Sequence, residues 1–229
     1  MITPIGGFGM QIWIVDSCPL ILRADQRDTI AFSMGLDLID KRVRDLYEIF
    51  EWRHATAVLY QEFRSEFNDI MNALGGFRLL KSHIAVGGGN KSKVSESIDQ
   101  VLYTKGWEER KFHTSIKVDT STTESPTHKV DCFKNRVALE IEWNNKDPFY
   151  DRDLNNFRLL FDLRVISAGV IVTRCDDLQD LFASLGRGGS YGNSTTHMSK
   201  LIPRIEGGGG GGCPILVFGI SKKVYVEDI

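Results

Sequence analysis

Asp131, Glu140 and Glu142 are the residues of this chain whose type and spacing could do chemistry. They lie in and just before Val137-Ala138-Leu139-Glu140-Ile141-Glu142-Trp143, a run with the β-branched and large apolar content of a strand. Side chains at i and i+2 of a strand leave the same face, roughly 6–7 Å apart, so Glu140 and Glu142 share a face. A turn at Lys134-Asn135-Arg136 would fold the chain back and bring Asp131 beside Glu140. Carboxylates crowded into a partly buried place repel one another, and the usual relief is a hard divalent cation with oxygen ligands, commonly Mg²⁺. Such an ion activates water and stabilises the charge on a phosphate in transfer. The same alternation fits a half-buried edge strand, with the two Glu in solvent and Val137, Leu139, Ile141 and Trp143 against the core. Spacing alone leaves both readings open.

The pattern Asp131-x8-Glu140-x-Glu142 resembles the PD-(D/E)xK nuclease core, in the form where a Glu or Gln stands at the position most members give to Lys. The runs 131–143 and 151–161 are similar to the BglII/BstYI group of type II restriction endonucleases. Further segments fall in that group's order: Tyr47–Ala55, the helix ending near Leu74, Gly106-Trp107, Val170–Thr173 and Pro214–Ile220. The likeness spans residues 43–222 and is strongest over 130–175. The bare acidic pattern is unspecific, whereas the ordered set of segments is much more specific.

The resemblance implies an α/β fold, a restriction-endonuclease-like core with a mixed central sheet flanked by helices. It implies a homodimer that cuts both strands of a short palindrome in double-stranded DNA, leaving a 5′-phosphate and a 3′-hydroxyl. Mg²⁺ would be held by Asp131, Glu140 and the carbonyl of Ile141. Glu142 would orient the attacking water or hold a second ion, since a carboxylate cannot lend the transition state the positive charge of a Lys. A further acidic residue upstream is expected to join the site, with Glu109, or else Glu108, the nearest by position. Residues just past the catalytic strand would read base edges: Asn144, Asn145 and Lys146, with the Asn145 amide suited to adenine. Helix 151–164 would pack between subunits.

The remaining elements are read from pattern. Apolar positions from Leu38 to Leu74 follow helical spacing up to Gly75-Gly76, although Arg44–His54 could be extended instead. Phe77–Val86 alternates weakly, as a strand would. Gly87-Gly88-Gly89-Asn90-Lys91-Ser92-Lys93 lacks the P-loop pattern, yet backbone amides beside Lys91 and Lys93 would suit a DNA backbone; a surface turn is the alternative. A helix capped near Ser92 or Ser95 follows, then a Ser/Thr-rich loop or hairpin over 114–129. Val165–Thr173 reads as a central strand and Asp176–Leu185 as a helix. The glycine-rich stretch 186–193 is a second candidate DNA loop, with Arg187, Ser190 and Tyr191 as contacts, or else a linker. A helix 195–204, a mobile Gly207–Gly212 tract and a last strand, Cys213–Ile220, complete the reading.

A 229-residue chain with 42% hydrophobic residues can build one substantial core, and a single domain over 43–229 is expected. Residues 1–42 are either an added strand and helix or an extension read from an upstream start. A net charge of −2 gives no global nucleic-acid signature, so phosphate binding must come from local clustering of the 28 Lys and Arg. Cys18, Cys132, Cys175 and Cys213 show no metal spacing and read as reduced thiols of a cytoplasmic protein. Nothing reads as a membrane span or signal peptide, and the five His carry no catalytic spacing. Two rivals remain: a non-catalytic DNA-binding module of the same fold, and a glycosidase built on two of the carboxylates.

Overall fold

A computed structural model of the chain describes residues 33–85, 92–125 and 127–228. Every element below lies in the compact unit Gly35–Ile229. The expectations for Cys18, for the Gly87–Lys91 loop and for most of residues 1–42 fall outside the described residues.

Leading into the sheet is helix α1 (Lys41–Leu46), which Asp40 caps by accepting from the Arg42 N–H. It runs directly into strand β1 (Tyr47–Trp52), so of the two possibilities for this stretch the extended one holds from Tyr47 onward. Helices α2 (Ala55–Glu62), α3 (Arg64–Gly76) and α4 (Lys93–Tyr103) follow. The Ser92 hydroxyl caps α4 by accepting from the Ser95 N–H at 2.9 Å. Next come β2 (Glu108–Lys111), a separate hairpin of β3 (Thr114–Val118) and β4 (Ser121–Ser125), then β5 (Lys129–Lys134) and β6 (Val137–Ile141). Helix α5 (Phe149–Asp162), strand β7 (Ala168–Arg174), helices α6 (Leu178–Ser184) and α7 (Met198–Glu206), and strand β8 (Ile215–Ile220) complete the series.

Six strands form one mixed sheet in the order β1-β8-β7-β6-β5-β2. Its centre, β6-β7-β8, is parallel, and the flanking pairs are antiparallel. Burial on both faces explains the unbroken apolar runs of β7 and β8, for a parallel sheet leaves neither face to water. One layer holds α1, α3, α4 and α6 against Val137, Leu139 and Ile141. The other packs Tyr150, Leu154, Phe157 and Leu160 of α5 and Leu201 and Ile205 of α7 against Ala138, Ile171 and Val217. Alternation therefore sends Glu140 and Glu142, in phase with Ala138, toward α5.

Two expectations give way. Instead of one strand over Phe77–Val86, the pair Leu79–Leu80 bonds in parallel to Tyr225–Val226, and a helix, Lys81–Ala85, begins at once. Asp228 starts it by accepting from the Ser82 N–H (3.0 Å) and hydroxyl (2.6 Å). The Gly207–Gly212 tract is a series of hydrogen-bonded turns rather than a slack linker, because it passes close under neighbours. A Cβ at Gly210 would lie 2.4 Å from Ile215 Cδ1. No helix among the described residues is long and apolar enough to cross a membrane.

The height of α5 over the sheet is set at Gly169, where a Cβ would meet the Phe157 ring at 2.4 Å. Replacing Gly169 with Ala overfills that contact, so urea denaturation of G169A should show a loss of about 1–3 kcal/mol. An unchanged midpoint would mean that α5 has slack over β7.

Candidate active site

The antiparallel ladder of β5 and β6 is closed by a two-residue turn in which Asn135 (φ 43°) and Arg136 (φ 71°) are both left-handed, the geometry that suits a tight hairpin. Pairing runs from Lys134↔Val137 to Cys132↔Leu139 and then stops. On its other side β5 pairs Glu108 with Phe133 but Arg110 with Val130, so β5 carries one extra residue at 131–132. This is a β-bulge, and bulges re-aim side chains. Val130 and Phe133 now face the α5 layer and Cys132 the other, which leaves Asp131 aimed at the end of β6.

Two reciprocal bonds take the place of the lost rung. The Asp131 N–H donates to Glu140 Oε2 (3.2 Å), and the Ile141 N–H donates to Asp131 Oδ2 (3.0 Å). The Ile141 carbonyl leaves the same strand edge as its N–H, so it too faces the Asp131 side. The expected convergence of Asp131 with Glu140 is thus present.

Glu142 is fixed at both backbone and side chain. Its N–H donates to the Val172 carbonyl, and its own carbonyl accepts from the hydroxyls of Thr173 (3.0 Å) and Thr196 (3.2 Å). Asn145 Nδ2 donates to Oε2 at 2.7 Å and Arg152 Nη2 to Oε1 at 3.2 Å. From the same turn of α5, Asp153 enters the cluster with no exposed surface, one oxygen held by Arg152 Nε at 2.9 Å. Burial, then the nearby charges of Asp153 and Asp131, raises the Glu140 pKa well above the usual carboxylate range. Burial and Asp153 push that of Glu142 up to about 9.

Asp153 was missed in the sequence, although a signal exists there. Tyr150, Asp153, Leu154 and Phe157 occupy one helical face, so a charged residue interrupts an inward apolar stripe. Glu109 does not take the fourth acidic place: it is exposed and paired with Lys129 at 2.9 Å. Glu108 is likewise exposed, beside Arg110. Lys93 opens α4, which packs in the layer opposite α5, and pairs with Glu96.

The two stretches expected at DNA adjoin one another. Lys146 bridges Thr195, the Asp147 N–H donates to the Ser194 carbonyl, and the Thr196 N–H to the Asn145 carbonyl. Lys146 and Ser190 are exposed and Arg187 is half-buried. Asn144 takes a left-handed φ of 59°, and Asn145 spends its amide on Glu142. Tyr191 is not presented to a ligand. It is buried, stacked on Phe182 at a 4.0 Å centroid separation and edge-on to Trp143, so it shapes the loop from beneath.

The donor set suits a hard cation in kind. It is all oxygen, and two fully buried atoms, Glu140 Oε1 and Asp153 Oδ2, have no hydrogen-bond partner among the described residues. The side chains are turned toward amides and Arg152, however, and among the described residues no three His, Cys, Asp or Glu groups stand in metal-holding geometry. A cation would therefore have to displace protons and draw oxygens together.

That fixes the sign of the pH dependence. Glu142 ionises near 4.5 when unfolded and at about 9 when folded, so between those values the folded state holds the extra proton and stability falls as pH rises. In chelator, the melting temperature should decline from about pH 5 to 9, and E142Q should flatten the decline. Added Ca²⁺ should raise it more at the alkaline end; an equal slope in wild type and E142Q would contradict the assignment.

No curated protein matches the chain. A family model described as restriction endonuclease BglII/BglIII matches residues 47–220, a span from the first residue of β1 to the last of β8 that takes in the bulge, both Glu and α5. With well over half of its length inside that match, the chain belongs to the BglII/BglIII restriction endonuclease family.

Proposed function

We propose that the protein is a type II restriction endonuclease that hydrolyses both strands of a short palindromic site in double-stranded DNA with Mg²⁺. The observation that carries this reading is the clasp of Asp131 and Glu140 across a bulge, beside two buried carboxylate oxygens that lack partners among the described residues. Asp131, Glu140 and the Ile141 carbonyl would hold the ion. When bound, Mg²⁺ supplies Lewis acidity toward the phosphate and lowers the pKa of water.

The chain's own residues do the rest. Glu142, pinned by Thr173, Thr196 and Asn145, takes the proton from the attacking water once it has given up its own to solvent. The water oxygen bonds to phosphorus, the P–O3′ bond breaks, and the 3′ oxygen gains a proton from solvent, leaving a 5′-phosphate and a 3′-hydroxyl. Lys146, Arg187 and Ser190, with Asn144, line the neighbouring loops and contact the DNA. Helix α5 carries exposed Asp151, Asn155, Arg158 and Asp162, with Leu163 just beyond it half exposed. Through this face two copies pair, which gives one site per strand. The buried, unbridged Cys132, Cys175 and Cys213 suit a reducing cytoplasm.

Plasmid DNA with Mg²⁺ should yield discrete fragments. E140A should abolish cutting while gel retardation in Ca²⁺ stays within a few-fold of wild type, since removing an essential group costs the chemical step about 10³-fold or more and not binding. Retardation by the wild type without any cutting would favour a non-catalytic DNA-binding module instead.

A further inference from the structure

The cluster holds Asp131, Glu140, Glu142 and Asp153, and the cation that the described residues set against Glu142 and Asp153 is Arg152. Its guanidinium is shared between them, Nη2 on Glu142 Oε1 at 3.2 Å and Nε on Asp153 Oδ1 at 2.9 Å. A residue meant only to neutralise buried charge would be enclosed with its partners. Arg152 is 32% exposed, whereas Glu142 and Asp153 are 2% and 0% exposed. Nη1 has no protein partner among the described residues, so a donor edge faces solvent at the mouth of the site.

A ring and two carboxylates fix its position. The guanidinium lies over the Phe149 ring, 4.2 Å from its centroid, and the backbone segment carrying His128 is tied to α5 by Asn156, which donates to the His128 carbonyl. Beside Glu142 there is thus a part-exposed guanidinium with N–H groups to spare, and a planar guanidinium matches the oxygens of a phosphate.

We infer that Arg152 is a catalytic residue, its guanidinium contacting a non-bridging oxygen of the scissile phosphate and stabilising the charge that builds there during attack. It does from helix α5 what a basic side chain in place of Glu142 would do from strand β6. The inference rests on the phosphodiesterase reading above. Both carboxylate contacts pre-orient the guanidinium, so little side-chain freedom is lost when the phosphate arrives.

The test compares wild type, R152K, R152A and, as a surface charge control on α1 in the layer opposite α5, K41A. Plasmid cutting is followed in Mg²⁺ under single-turnover conditions, DNA binding in Ca²⁺, and melting temperature without DNA. R152A should cut about 10²–10³-fold more slowly, the usual effect of removing one transition-state donor, with DNA binding within a few-fold of wild type. R152K should recover part of the rate, low non-denaturing guanidinium should raise that of R152A, and K41A should cut as wild type does. Two results would overturn the inference: R152A cutting at the wild-type rate, or a loss that tracks melting temperature and is relieved by neither lysine nor guanidinium, which marks a structural counter-ion. If wild type itself cuts no DNA in Mg²⁺, the phosphodiesterase reading fails first and this inference with it.

Discussion

The constraint on which the structure turns is the withdrawal of carboxylates from water beneath one helix. Two like charges about 4 Å apart cost roughly 4 kcal/mol at the effective dielectric of a protein near its surface. A hydrogen bond returns a net of only about 1 kcal/mol. The amide and guanidinium contacts around Glu140, Glu142 and Asp153 therefore cannot hold all three as anions. Protons, Arg152 or a divalent cation must make up the difference, which is why burial and neighbouring charge raise the pKa values of both Glu residues.

From that constraint the architecture follows. A bulge on β5 is needed to swing Asp131 out of the alternation that would otherwise send it to one face or the other. A glycine at 169 is needed to let α5 approach closely enough for Asp153 to reach β6. The parallel centre of the sheet then keeps solvent from the floor, since every residue of β7 and β8 is buried.

Much of this could be read from the chain. The turn at Asn135-Arg136 and the i, i+2 placement of Glu140 and Glu142 are local properties, and local geometry delivers them. The alternative of a solvated edge strand fails because β6 pairs on both sides, with β5 and β7, and buries all five residues. What sequence could not supply was anything decided by a third element. Glu109 was the candidate suggested by position in the resemblance, yet its strand lies at the sheet edge and its charge goes to Lys129. Asp153 comes from the helix that covers the strand. Tyr191, in a glycine-rich loop that reads as exposed, is drawn inward because Phe182 and Trp143 offer it rings.

The division of labour between strand and helix has a chemical consequence. Asp131, Glu140 and Ile141 are set by hydrogen bonds within one hairpin and need nothing from α5 for their mutual positions. Glu142 is different: its side chain is oriented by Asn145 from the turn that leads to the candidate DNA loops and by Arg152 from α5. Its backbone is tied to Thr196, beyond those loops. Displacement of the 144–147 or 187–196 segments is thus transmitted to one carboxylate and not to the others. A site built this way can keep Asp131, Glu140 and Ile141 in place while the side chain of Glu142 follows the candidate DNA loops.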